Sequence, residues 1–220
     1  MITKHTLTLI FPAMLFLCGC ISSKPSIIIG NEKWFFYSED STSPIENTWT
    51  QKNDILICTG TPRGYIYTTR NYTDFTLSLE FQRPAATIHS GNNRGGILIR
   101  KTGDDKIWPK CLEAQINAPN AGDFVSIGGF KLMSPGPKIK TIEHPALGEI
   151  LILSKSLDAE KTAGQWNIYE VTAKEGKVTI RINENLVNTA IKCDTAPGSI
   201  CLTSEGDLLS FRNIVISELK

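Results

Sequence analysis

Four polar side chains in the middle of the chain have the types and spacing of a sugar site. Glu113 and Gln115 alternate with Leu112, Ala114 and Ile116, and Arg100 closes the run Gly96-Ile-Leu-Ile-Arg100. Glu80 alternates with Leu79 and Phe81 in Phe75-Thr-Leu-Ser-Leu-Glu-Phe-Gln82. Carboxylate, guanidinium and amide groups give hydroxyls bidentate partners, and a ring such as Trp108 stacks on the apolar face of a pyranose. A carboxyl in this setting also serves as general acid or base. The competing reading is a solvated sheet face whose cross-strand ion pair contributes little to stability.

Other chemistry finds less support. Beyond residue 19 there are two histidines, His89 and His144, far apart and in loop-like sequence, so no local zinc spacing exists. A Cys-x-x-Cys pair, a Gly-x-Ser-x-Gly elbow and a phosphate-cradling loop are missing from the sequence. Asp104, Asp105, Asn120 and Asp123 are oxygen donors of the kind a divalent cation takes, in stretches that also read as ordinary turns. No organic cofactor is implied.

The elements that must position these residues are strands. Apolar and polar residues alternate with period two in 75–82, 96–100 and 111–116, and turn-rich connectors separate the runs. Further strand-like runs cover 34–37, 65–67, 124–130, 149–154, 165–172, 177–182, 186–191, 199–203 and 208–217, and 49–59 reads as a hairpin turning at Asn53-Asp54. Residues 38–47, 134–144 and 155–164 read as loops. A sustained 3.6-residue period is nowhere found, and strands recur about every eight to twelve residues. The fold class is therefore all-β, a two-sheet antiparallel sandwich in one domain. If the three central strands are neighbours in one sheet, Glu80, Arg100, Glu113 and Gln115 share its polar face.

The first residues describe export. A short basic start leads into the apolar stretch 7–17, too brief to span a bilayer, and then Leu17-Cys-Gly-Cys20. That ending resembles a bacterial lipobox, which implies a signal peptide over 1–19, acylation of Cys20, a tether over 20–29 and a domain over 30–220. The protein is then expected in the cell envelope, periplasmic or on the outer membrane surface, held to the membrane by its acyl chains. Removing 1–19 takes away only Lys4, so the formal charge moves from +1 to zero. Without a basic stripe, nucleic acid is not the expected partner. Cys58, Cys111, Cys193 and Cys201 remain, either as two disulfides or as buried thiols. Cys193 and Cys201, flanking a turn-rich connector, are the easiest pair to bridge.

Several stretches taken together resemble successive motifs of the 3-keto-disaccharide hydrolase family. They are Asp74-Phe-Thr-Leu-Ser-Leu-Glu-Phe-Gln82, Gly96-Ile-Leu-Ile-Arg100, Lys106-Ile-Trp-Pro-Lys-Cys-Leu-Glu-Ala-Gln115 and Asn120-Ala-Gly-Asp-Phe124. Gly164-Gln-Trp-Asn-Ile-Tyr-Glu170, Pro197-Gly-Ser-Ile-Cys-Leu-Thr-Ser-Glu-Gly206 and Phe211-Arg-Asn-Ile214 are similar to its C-terminal motifs. The resemblance implies a concanavalin-like or laminin-G-like jelly roll acting on glycosides already oxidised to a ketone at C3. It implies Glu113 as acid/base, Arg100 as enolate or hydroxyl clamp, Gln115 as hydroxyl ligand and Asp123 as second carboxylate or metal ligand. Glu80, Trp108, Asn120 and His144 are the accompanying substrate contacts, and Arg212 with Asn213 reads as a structural pair. Where the family usually has Asn-Ser-Gly, this chain has Arg94-Gly95-Gly96. That departure keeps open a non-catalytic carbohydrate-binding or adhesion module on the same scaffold.

Overall fold

The computed structural model describes residues 24, 26–30, 32–85, 94–136 and 139–220. The signal segment, Cys20 and His89 lie outside them. In chain order the strands are β1 (Ser26–Ile29), β2 (Glu32–Ser38), β3 (Trp49–Lys52), β4 (Ile55–Cys58), β5 (Gly64–Thr68), β6 (Phe75–Gln82), β7 (Gly96–Thr102) and β8 (Lys110–Gln115). They continue with β9 (Phe124–Ile127), β10 (Ile139–His144), β11 (Gly148–Leu153), β12 (Asn167–Lys174), β13 (Lys177–Ile182), β14 (Asn185–Ala190), β15 (Ser199–Ser204) and β16 (Leu209–Glu218). A 3-10 turn, Ile45–Asn47, interrupts the first polar loop. Among the described residues there is no α-helix, and none is long and apolar enough to cross a membrane.

The strands form two antiparallel sheets. One has nine strands in the order β1-β2-β5-β15-β7-β8-β9-β11-β10, the other seven in the order β14-β13-β12-β6-β16-β4-β3. Their facing sides make the main core: Trp34, Leu77, Phe81, Ile97, Ile99, Leu112, Tyr169 and Phe211 all meet there, each buried. Burying one such side chain stabilises the fold by roughly 1.5–3 kcal/mol, which is why alternation alone locates most of the strands.

The sheets differ in what covers their outer sides. β6 alternates buried and half-buried residues, as a sheet with one wet face should. β5 and β15 are buried at every position. On the outer face of the nine-stranded sheet lies a second apolar cluster, with Tyr65, Tyr67, Leu98, Cys111, Val125 and Cys201 at its centre.

Three expectations change. The passage 134–144 is not wholly loop, because β10 pairs along its length with β11 at the sheet edge. Its Pro/Gly/Lys-rich start hides a short edge strand whose Ile142 packs on the outer cluster. All four described cysteines are free and buried. Cys193 belongs to the core between the sheets and Cys201 to the outer cluster, so the nine-stranded sheet separates the pair that looked easiest to bridge. Glu80 is not in the same sheet as Glu113: β6 sits in the seven-stranded sheet, β7 and β8 in the nine-stranded one.

Candidate functional site

Glu113 projects where alternation places it. Leu112 and Ala114 point into the main core, while Cys111 belongs to the outer cluster, so Glu113 and Gln115 belong to the outer face of β8. Glu113 pairs with Leu98 on one side and Val125 on the other, and only 7% of it is exposed. Its carboxyl lies over Gly96, at the start of β7. Any side chain at 96 would collide with Glu113 Oε1. The missing Cβ is therefore the space the acid occupies.

A second carboxyl bears on Glu113 electrostatically. Thr203 of β15 exchanges hydrogen bonds with Gly96: its hydroxyl accepts from the Gly96 amide at 2.7 Å and donates to the Gly96 carbonyl at 3.2 Å. Two residues on, just past the end of β15, half-buried Glu205 adds a negative charge that acts on Glu113. Burial first, and then the negative charge of Glu205, push the Glu113 carboxyl well above the ordinary carboxylate range. Burial also raises Glu205, but the Thr203 hydroxyl and the positive charges of Arg94 and Arg63 oppose the rise. Two carboxyl groups in one desolvated site, with different surroundings, are a recurrent catalytic arrangement.

The rim brings in aromatic and cationic groups. The connector between β7 and β8 carries Trp108 back over the outer face, where the Arg63 guanidinium stands 5.7 Å above its ring. His144, at the end of β10, meets the other edge of Trp108 with ring centres 6.1 Å apart. The His144 Nδ1 accepts the Ala146 amide at 3.2 Å, so one ring nitrogen is already engaged. Arg63 is itself held by Glu39.

Asp123, just before β9, stands beside Gln115, joined by the Gln115 amide donating to the Asp123 carbonyl at 2.9 Å. Its carboxylate accepts the Lys155 amide at 2.8 Å and thus closes a turn at the end of the sandwich. Burial raises its pKa. Asn120, exposed, caps that loop through its carbonyl to the Asp123 amide. Among the described residues no group of three or more His, Cys, Asp and Glu side chains converges as a metal site. Asp105 is engaged by Lys101 at 2.5 Å, Tyr67 at 2.9 Å, Lys24 at 3.1 Å and Tyr65 at 3.3 Å. Burial alone would raise it, but the Lys101, Tyr67 and Lys24 hydrogen bonds carry it below its usual range.

Two expected members stand elsewhere. Arg100 is 1% exposed and turned toward the junction of the two sheets. Its Nε and Nη2 donate to the Thr73 carbonyl at 3.0 and 2.7 Å, and its Nη1 to the Asp194 carbonyl at 2.6 Å. It is a structural clamp on two loops, not a neighbour of Glu113. Glu80, on the outer side of the other sheet, pairs with Arg212 at 2.6 Å, and that guanidinium stacks 4.1 Å from the centre of the Trp166 ring. Arg212 and Asn213 are the structural partners their motif suggested. A hollow of about 280 Å³ lined by Ser134, Leu153, Ser156, Leu186 and Asn188 lies at the sandwich edge and includes neither carboxyl of the pair.

The two antiparallel sheets define a concanavalin-like jelly roll. Its architecture is shared with a candidate glycosyl hydrolase from Parabacteroides distasonis (TM-score 0.55, 18% identity, 79% of this chain and 91% of the other). It is shared equally with the carbohydrate-binding module CBM66 from Bacillus subtilis (TM-score 0.56, 14%, 84% and 95%) and a Bacillus licheniformis beta-glucanase (TM-score 0.54, 11%, 90% and 97%). No curated protein sequence matches the chain. Residues 31–217 match the 3-keto-alpha-glucoside-1,2-lyase-like domain, and the chain belongs to that family.

Proposed function

We propose that the protein cleaves 3-keto-glycosides by eliminating the C1 substituent and hydrating the product. The observation that carries this reading is Glu113: a buried carboxyl on the covered face, raised in pKa and paired with a second acid. A ketone at C3 acidifies the C2 proton. A base that removes it leaves an enolate, which expels the C1 oxygen and forms a 2-hydroxy-glucal, and water then adds at C1. Such chemistry needs a carboxyl poised near working pH rather than a pair bracketing an oxocarbenium ion. Trp108 offers the sugar a stacking surface, and Gln115 an amide for a hydroxyl. Incubating the purified domain with an alkyl 3-keto-glucoside tests it. Aglycone release by the native protein and its loss in Glu113→Gln, with folding intact, is the expected pair of results.

Non-catalytic carbohydrate binding is the second reading, favoured by the apolar packing of Tyr65, Cys111 and Cys201 on the same face. Binding of unmodified oligosaccharide without turnover would select it. In either case the lipobox-like Leu17-Cys-Gly-Cys20 supports an exported, lipid-anchored protein. Lys24, four residues beyond that cysteine, docks on Asp105 and Tyr67, so the domain surface would stand close to the membrane. Labelling with a radioactive fatty acid, lost in Cys20→Ser, checks the anchor.

A further inference from the structure

Lys24 lies against the outer face of the nine-stranded sheet. Its ammonium donates to the Tyr67 hydroxyl at 2.8 Å and to the Asp105 carboxylate at 3.1 Å, and it stands 5.7 Å from the centre of the Phe35 ring. Lys33 approaches the same ring, at 5.8 Å. Register puts Ile28 beside them, because Ile28 pairs with Lys33 and Ser26 with Phe35. Ile29 and Trp34 turn into the main core, whereas Phe35 packs on the outer cluster, so Ile28, Lys33 and Phe35 share the outer side. Ile28 is 68% exposed, more than any other large apolar side chain among the described residues, and Lys24 and Lys33 are exposed with it. One corner of the sheet therefore shows water an aliphatic side chain, an aromatic ring and two ammonium groups.

The length of chain ahead of this corner says what covers it. Lys24 is four residues from Cys20, so the backbone between them reaches at most about 14 Å. Acyl chains on Cys20 lie in the bilayer, and the corner that holds Lys24 is kept within that reach of it.

We infer that the β1–β2 corner, with Lys24, Ile28, Lys33 and Phe35, is a membrane-docking surface that rests on anionic phospholipid headgroups. The inference rests on the lipid anchor proposed above and names the face that the anchor brings down. The ammonium groups meet phosphate while their stems lie along apolar neighbours. Ile28 and Phe35 enter the boundary between headgroups and acyl chains, where their apolar area leaves water. In the sheet order β8 is the fifth strand beyond β1, roughly 24 Å at ordinary strand spacing, so Glu113 stands clear of the edge that docks. Asp105, which Lys24 binds, belongs to the β7–β8 connector that also carries Trp108, so the docked corner is tied to the rim of the candidate site.

Spin labelling reads the contact. Acylation blocks Cys20 and the four described cysteines are buried, so a nitroxide can be placed at Ile28→Cys alone. Ile168→Cys is the control: it is 44% exposed and alternates with core residues Tyr169 and Val171, on the outer side of the other sheet. With the acylated protein in phosphatidylglycerol vesicles, the label at 28 should be shielded from a water-soluble nickel chelate and the label at 168 should not. Lys33→Ala should lower the ratio of docked to undocked protein about fivefold, and uncharged phosphatidylcholine, which forgoes both lysines, about 25-fold. Equal exposure of the two labels, with fatty acid incorporated, would overturn the docking surface and leave the anchor standing. Shielding at 28 that is unchanged in phosphatidylcholine or in detergent micelles would give the face to a second copy of the chain, which overturns it as well. If no fatty acid is incorporated, the anchor falls and the surface with it.

Discussion

Arg100 and Lys101, adjacent in β7, leave the strand on the sides opposite to those that alternation assigns them. Ile97 and Ile99 face the main core and Leu98 the outer cluster, so Arg100 should face outward. Instead Arg100 has φ of 50° at a break in the β7–β8 register, and it turns inward to Thr73 and Asp194. Lys101 then faces outward, with its ammonium 2.5 Å from Asp105 and over the Tyr65 and Tyr67 rings. A one-residue bulge exchanges the faces of everything that follows it.

Arg100→Met should accordingly act on stability and not on turnover. The substitution leaves the Thr73 and Asp194 carbonyls without their buried donor, a loss on the order of 3 kcal/mol. A urea titration should show the midpoint falling, while kcat/KM per folded molecule stays at the native value. A loss of kcat with no loss of stability would return Arg100 to the chemistry.

The same bulge marks the limit of what was legible in the sequence. Period two located nearly every strand and put Glu113 and Gln115 on the proper side, because burying one face dictates alternation locally. It could not place Arg100, since a bulge leaves no mark on an apolar pattern. It could not show that β6 and β7 lie in different sheets, because pairing is settled by distant partners, β12 and β16 for β6 and β15 and β8 for β7. Glu205 was legible but unread: stepping by two from Cys201 through Thr203 leads to it. Arg94 stood out only as a departure, and the fold uses its backbone amide, which donates to the Asp207 carboxylate at 2.7 Å.

Stability should fall with rising pH through the Glu113–Glu205 pair. The folded pKa of Glu113 is raised, so the native state keeps a proton that the unfolded chain releases above its ordinary value of 4.5. The contribution is complete below that value and is lost as pH rises toward the folded one, at about 1.4 kcal/mol for each unit between them. Glu205 shifts the same way, while Cys111 and Tyr169, also close to Glu113, are raised and stay neutral. Glu113→Gln removes the ionisation. In chemical denaturation it should match the native protein near pH 4 and exceed it near about pH 8. Parallel curves at both pH values would show that Glu113 is not the group responsible.

Trp108 should govern affinity more than rate. Its ring lies half-buried between Arg63 and His144 on the outer face, far better placed to stack on a sugar than to move a proton. Trp108→Ala should raise KM about tenfold, on the order of 1.4 kcal/mol, with kcat within a few-fold of native. A fall in kcat at constant KM would mean that the ring positions the carboxyl pair instead.

Gly96→Ala should abolish catalysis in a folded protein. Its φ lies outside the left-handed region, so an alanine backbone is unstrained, and the new methyl meets the Glu113 carboxyl and its Cγ, the latter at 2.8 Å. Glu113 must swing aside, and a displacement of about 1 Å in a reacting group lowers rate on the order of 100-fold. Gly198→Ala is the matched control, because its methyl would strike backbone, the Arg100 carbonyl carbon and the Lys101 oxygen, each at 2.5 Å. Thermal melting should therefore drop sharply for the Gly198 variant and little for the Gly96 variant. Turnover per folded molecule should do the opposite, falling with Gly96 and surviving at Gly198. If Gly96→Ala keeps native turnover, Glu113 does not work from its position over that glycine.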